Sequence, residues 1–181
     1  MKIQDLDLEG VKLIQPQVFR DRRGFFLEIF NQSRYEDAGI KVNFPQDNLS
    51  YSKYGTIRGM HYQTKPGQAK LVKVIKGRIF DVFVDIKKDS KTFGKWQGVY
   101  LSEEDHQELF IPTGFAHGFC CVSDETYVMY KVSSHYDPYS EKAFRYDDKG
   151  VGIKWPVVNP VLSDRDLSAP LFSDAFAKVA S

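Results

Sequence analysis

Ile79-Phe80-Asp81-Val82-Phe83-Val84-Asp85-Ile86 is the stretch that decides the fold class. Phe80, Val82, Val84 and Ile86 alternate with positions that include Asp81 and Asp85. This is the two-residue period of a β-strand with one buried face and one partly polar face. Outward from it, residues 71–75, 99–101, 108–111, 118–122 and 126–132 read as further strands. They are separated by short clusters of Gly, Pro, Asn and Asp and by turns such as Lys76-Gly77. Helix is scarce. Ser33-Arg34-Tyr35-Glu36 forms a capping box followed by Gly39, which predicts one short helix, and residues 173–180 predict a second. Many short strands with little helix point to an all-β sandwich or jelly-roll barrel.

The whole chain sets bounds on what this domain does. Its 181 residues make one domain with a real core, spanning 1–181. With 25 Lys and Arg against 24 Asp and Glu, the net charge of +1 lacks the basic excess of a nucleic-acid protein. Cys120 and Cys121 are adjacent and cannot staple a fold, so a reducing compartment is expected. The start, Met1-Lys2-Ile3-Gln4-Asp5, has no apolar stretch of signal-peptide length, and no run reaches membrane-spanning length. A soluble, cytoplasmic protein is the expectation, with no membrane and no nucleic acid as partner.

Two segments carry the chemistry. One is Arg58-Gly59-Met60-His61-Tyr62-Gln63, followed by Lys70-Leu71-Val72 and Gly77; the other runs from Ile111-Pro112 through Gly114 and His117 to Gly118. Pro-x-Gly-x-x-His between two strands resembles the second motif of the cupin superfamily. The first segment lies where the cupin His-x-His and Glu would stand. At those positions this chain has Gln63 in place of the second His and Lys70 in place of the Glu. A divalent metal needs neutral imidazoles and anionic oxygens, and an ammonium among the ligands repels it. The expectation is a metal-free acid–base site with no cofactor.

At this point the resemblance narrows. The segments above, Trp155-Pro156 and Leu162-Ser163-Asp164-Arg165-Asp166 resemble the dTDP-4-dehydrorhamnose 3,5-epimerase family. So do the spaced residues Asp21, Arg23, Gly24, Phe26 and Glu28, and the run Gln46-Asp47-Asn48 with Ser50. The motifs run in family order over nearly the whole chain. The resemblance implies a cupin-type jelly-roll barrel with a few short helices. It also implies epimerisation at C3 and C5 of a dTDP-linked 4-keto-6-deoxy sugar.

Removing a proton beside a ketone needs a base on one face, a cation or donor for the enolate oxygen, and an acid on the other face. The resemblance assigns His61 as base, Asp166 as its partner, Lys70 as enolate stabiliser and Tyr130 as acid. Arg23 and Arg58 offer planar forks for phosphate oxygens. Glu28, Gln46, Asp47, Asn48, Glu141 and Arg165 match positions that line the family's nucleotide-sugar site. Phe26 and Tyr136 offer stacking surfaces, and His117, a surviving cupin position, is given a site role. His106 is expected on a solvated turn, and His135 carries no assignment. In the family a second subunit contributes to the base-binding part of the site, so the resemblance implies a homodimer.

Three other readings use the same residues. A metal-dependent cupin conflicts with Gln63 and Lys70. A non-catalytic sugar-binding barrel has no use for a paired His and Asp. A C3-only epimerase acting on a related nucleotide sugar would keep most of these side chains, and residue types alone do not separate it from the double inversion.

Overall fold

The computed structural model describes residues 1–177, and the last part of the predicted 173–180 helix lies outside them. In chain order the strands are β1 (Lys2–Asp5), β2 (Lys12–Gln15), β3 (Val18–Asp21), β4 (Gly24–Leu27), β5 (Gln46–Lys53), β6 (Ile57–Gln63) and β7 (Lys70–Lys76). They continue with β8 (Arg78–Asp85), β9 (Trp96–Ser102), β10 (Glu108–Ile111), β11 (Phe115–Cys121), β12 (Glu125–Val132) and β13 (Glu141–Ala143). Helices are short: α1 (Gln32–Asp37), α2 (Asp164–Leu167) and α3 (Phe172–Ala175). None of the described helices is long and apolar enough to cross a membrane.

Two antiparallel sheets face each other in a jelly-roll barrel of cupin type. The six-stranded sheet has the order β1-β2-β10-β7-β12-β5, and the five-stranded sheet has the order β13-β6-β11-β8-β9. A separate hairpin, β3-β4, projects as a two-stranded arm. Between the sheets lie Val72 and Val74 from β7, Ile79 and Phe83 from β8, Phe115 and Phe119 from β11, and Val128 from β12.

The decisive strand is buried on both faces, which corrects the reading of a partly polar face. Ile79, Asp81 and Phe83 point into the barrel, while Val82 and Val84 point outward under a second layer. That layer is the C-terminal segment, whose Phe144, Trp155, Phe172 and Phe176 cover the outer side of the five-stranded sheet. The two aspartates are not solvated. Asp81 is fully buried against His117, and Asp85 accepts hydrogen bonds from Ser90 and Thr92 and from the Lys87 N–H. A polar residue in a strand marks a wet face only when nothing inside the fold satisfies it.

Two local expectations also shift. In α1 the cap is Asn31, whose side chain accepts the Arg34 N–H, so Ser33 lies inside the helix and not at its start. Gly39, at φ +86°, closes the helix as the sequence suggests. Its N–H reaches the Glu36 carbonyl and the Ile40 N–H reaches the Tyr35 carbonyl, a Schellman ending. His106 is not on a solvated turn. Only 8% exposed, it packs on Phe25, with ring centres 4.5 Å apart, and Arg20 lies 3.2 Å from its Nε2. The hairpin arm covers it.

A close backbone approach joins β6 to β11. Gly59 has φ +134°, and a Cβ there would fall 2.6 Å from the Gly118 Cα. A Cβ on Gly118 would meet the Arg58 carbonyl at 2.8 Å. The register between the strands shifts here, between His117 and Phe119, in a β-bulge that sets His117 opposite His61. Gly59→Ala is therefore expected to destabilise the fold by at least about 1–3 kcal/mol. Urea unfolding at neutral pH measures this, and a variant as stable as the parent contradicts the packing described.

Candidate active site

A cavity of about 560 Å³ opens between the two sheets. Strand alternation decides most of what faces it, and the bulge in β6 brings Arg58 to the same side as His61. On the six-stranded sheet, Gln46 and Asn48 of β5, Lys70 of β7 and Tyr130 of β12 point inward; Tyr130 lies beside Asn48 and Val72 in register. On the five-stranded sheet, Arg58 and His61 of β6, His117 of β11 and Glu141 of β13 face the same space. Tyr136, Arg165 and Asp166 close the rim.

Asp166 reaches His61 through a chain of local interactions. Val161 is tied to the start of β6 by two backbone hydrogen bonds, its carbonyl accepting the Ile57 N–H and its N–H donating to Gly55. Ser163 then caps α2 by accepting the Asp166 N–H, which turns the Asp166 side chain inward. His61 Nε2 lies 2.6 Å from Asp166 Oδ1, and the other carboxylate oxygen accepts the Gly59 N–H at 3.4 Å. Burial pushes the Asp166 carboxyl up, but the His61 ring and the Gly59 N–H hold it below the ordinary carboxylate range. An anionic Asp166 requires His61 to carry its hydrogen on Nε2, which leaves Nδ1 as the basic atom of the ring.

The remaining groups are held as firmly. His117 Nε2 lies 2.9 Å from both oxygens of Asp81; burial raises that carboxyl against the pull of the imidazole. Arg58 donates to the Ser52 hydroxyl and the Tyr51 carbonyl, at 3.0 and 2.9 Å. Glu141 pairs with Arg165 at 2.7 Å. Burial pushes the Tyr130 hydroxyl up, with Arg58 pulling it down and Glu141 adding to the rise. Burial also pushes the Lys70 ammonium down to about 8, a fall that Glu141 offsets only in part.

The donor set does not fit a divalent metal. Lys70 brings a cation to the position of a ligand, and Gln63 Oε1 is occupied by the Ser134 hydroxyl at 2.8 Å. Among the described residues no three His, Cys, Asp or Glu side chains gather as metal ligands.

Eleven of the expected site residues line the cavity: His61, Lys70, Tyr130, Asp166, Gln46, Asn48, Arg58, His117, Tyr136, Glu141 and Arg165. Four do not. Asp47 lies on the outward side of β5 and pairs with Lys131 at 2.8 Å. Arg23 and Phe26 are on the hairpin arm, where Arg23 pairs with Asp21 and Phe26 is 69% exposed. Glu28 follows the arm and pairs with Arg34 at 3.0 Å. The structure also brings in groups that the sequence did not single out. Gln68 and Phe119 line the cavity, and Asp81 stands behind His117. For Asp81 there was a signal, a carboxylate in an otherwise apolar run; for Gln68 there was none beyond its place two residues before Lys70.

Known proteins match this chain along most of its length. A family model described as dTDP-4-dehydrorhamnose 3,5-epimerase matches residues 5–174. The dTDP-4-dehydrorhamnose 3,5-epimerase of Shigella flexneri is 49% identical over 177 residues, covering 97% of this chain and 98% of that one. The Bacillus anthracis dTDP-4-dehydrorhamnose 3,5-epimerase, solved with TDP and pyrophosphate, superposes with a TM-score of 0.92 at 45% identity, covering 94% of this chain and 98% of that one. A Legionella pneumophila epimerase solved with dTDP-4-keto-L-rhamnose gives 0.91 at 44% identity, over 94% of this chain and 92% of that one.

The Asp166 carboxylate serves two donors, and an amide cannot. In Asp166→Asn the amide oxygen can keep only one of the two donors, and an NH2 group turned to His61 forces the imidazole hydrogen from Nε2 to Nδ1. The expected cost is about 1–3 kcal/mol at neutral pH. Because the folded pKa of Asp166 is lowered, its contribution is present above the ordinary carboxylate range and lost as pH falls through that lowered value. Urea unfolding of parent and variant should therefore show a gap at pH 7 that narrows in acid. A gap that stays constant into strong acid contradicts this account of the pair.

Proposed function

Because this chain belongs to the dTDP-4-dehydrorhamnose 3,5-epimerase family, we propose that it epimerises dTDP-4-dehydro-6-deoxy-D-glucose at C3 and C5, giving dTDP-4-dehydro-L-rhamnose. The observation that carries this reading is the division of labour between the two sheets. His61, the base, stands on the five-stranded sheet, and Tyr130, the acid, stands on the six-stranded sheet across the same cavity. A sugar ring held between them presents one face to each.

The steps follow from the side chains. His61 Nδ1 takes the proton from the carbon beside the 4-keto group, and the resulting imidazolium is stabilised by Asp166. The electron pair moves onto the ketone oxygen as an enolate, where the buried ammonium of Lys70 stabilises it. Tyr130 then delivers a proton to the carbon from the opposite face, which inverts the centre, and solvent restores both groups. No step needs a metal, since Lys70 supplies the positive charge a metal would bring. His117, held by Asp81, contributes a polar ring to the same wall of the cavity. Arg58 and Arg165 take phosphate oxygens, Gln46, Asn48 and Glu141 take polar groups of the nucleotide sugar, and Tyr136 offers a stacking surface.

Arg23, Phe26, Glu28 and Asp47 point to a homodimer in this proposal. The arm exposes Phe19, Phe25 and Phe26 together with Arg23 around one shallow hollow, a combination suited to a flat base and a phosphate. In a second copy of the chain this arm completes the neighbouring cavity. The buried free thiols of Cys120 and Cys121 support work in the reducing cytoplasm.

The test is turnover of dTDP-4-dehydro-6-deoxy-D-glucose in deuterated water with excess EDTA. The expected product carries deuterium at both C3 and C5 with both centres inverted, at a rate chelation does not change. Deuterium at C3 alone marks a C3-only epimerase. Activity lost to EDTA and restored by a divalent ion contradicts the metal-free route.

A further inference from the structure

Lys70 is a buried cation whose nearest partner is neutral. Its Nζ donates to Gln68 Oε1 at 2.5 Å, while Glu141, the acidic group that acts on it, is already paired with Arg165 at 2.7 Å. The neighbours of Lys70 in register are Ile111 on β10 and Val132 on β12, both apolar. The other titratable or charged groups on the cavity wall are Tyr130 on β12, Arg58 and His61 on β6, His117 on β11, and Tyr136, Arg165 and Asp166 at the rim.

Gln68 is itself pinned. Its Nε2 donates to the Ser134 carbonyl at 3.1 Å and lies 3.4 Å from the Ser134 hydroxyl. That hydroxyl donates its one hydrogen to Gln63 Oε1 at 2.8 Å, with the Gly67 carbonyl 3.3 Å away. Since the amide NH2 is used on Ser134, the oxygen must face the lysine, and the orientation of Gln68 follows from the network. Gln63, at the position where a cupin would hold a metal, anchors this chain of hydrogen bonds.

Resting on the epimerase reading above, we propose that Gln68 is the positioning residue for Lys70. It fixes the ammonium at the enolate position with an acceptor that orients the charge without cancelling it. An amide oxygen accepts one of the three N–H donors of Lys70 and carries no net charge, so two donors and the full positive charge remain for the developing oxyanion. A carboxylate in the same place would hold the lysine as well, and would neutralise it. The identity of Gln68, and not merely its size, is then what the chemistry needs.

Two nearly isosteric variants separate this role from a packing role. Both are assayed for kcat/KM against pH with dTDP-4-dehydro-6-deoxy-D-glucose, and for dTDP affinity as a check on the fold. Gln68→Glu sets a negative charge on Lys70, so the alkaline limb, near pH 8 in the parent, moves up by about 1 unit or more. Its plateau kcat falls by about 10²-fold as the ammonium's field is taken up by the carboxylate. Gln68→Met removes the acceptor, so the limb moves down while kcat also falls. Both variants keep dTDP affinity within about threefold of the parent, because Gln68 does not contact the nucleotide in this scheme. Limbs that stay in place, or that move in the same direction, overturn the role of Gln68 while the parent's activity keeps the epimerase reading intact. A parent that does not turn over this substrate overturns the epimerase reading, and this inference with it.

Discussion

The close contact between Gly59 and Gly118 is the constraint on which the site depends. With no Cβ on either residue, β6 and β11 approach near enough for the bulge to set His61 and His117 side by side. The same backbone turn aims the Gly59 N–H at Asp166, so the carboxylate that orients His61 is held from the strand carrying the imidazole. A side chain at either glycine would separate the strands and loosen both histidines together. Sequence pattern, backbone shape and acid–base geometry meet at these two residues.

The barrel interior is unusual for the amount of charge it holds. Asp81 and His117, His61 and Asp166, and the ammonium of Lys70 all lie within or beside a shell of Val, Ile and Phe. Burying charge is costly unless it is paired or hydrogen-bonded, and each of the two carboxylates has an imidazole nitrogen within hydrogen-bond distance. Lys70 instead has an amide oxygen beside it. A low-dielectric wall makes its field stronger than it would be in water, which is what an enolate oxygen requires. A separate buried network of Lys73, Glu108 and Tyr35 lies under α1, where it ties the helix to the six-stranded sheet. Its further hydrogen bonds run to the Ile29 and His106 carbonyls, away from the cavity.

The strands were legible because period-two alternation is a property of the chain itself, and residues 108–111 and 126–132 fall where the pattern put them. What alternation could not show was a second layer. The even face of the 79–86 run is apolar because Phe172 and Phe176, nearly a hundred residues later in the chain, cover it from outside, while the face that carries Asp81 turns into the barrel and is satisfied there by His117. His106 was misread for the same kind of reason, since the hairpin arm that covers it belongs to another part of the sequence. In the site, His61, Lys70 and Tyr130 were reachable from motif and alternation. Asp166 depended on family resemblance, since a Ser-x-x-Asp turn alone reads as a helix cap, and Ser163 does serve as one. Asp47 could have been placed correctly by alternation, because Gln46 and Asn48 on either side of it face inward. Arg23 and Phe26 lie on the hairpin arm and Glu28 just after it, away from the cavity of their own chain, and no motif or alternation in the sequence signals where an arm sits relative to the barrel.

The central claim is that acid and base stand on opposite sheets, and Tyr130→Phe in deuterated water tests it most directly. The ring is kept, so packing should change little beyond the lost hydroxyl. With His61 intact, the variant should still remove the proton and return a deuteron from the same face. Label should enter the substrate with configuration retained while epimer formation falls by about 10²–10⁴-fold. A variant that epimerises at the parent rate, or one that loses exchange and inversion together, would contradict the assignment of Tyr130 as the acid facing His61 across the cavity.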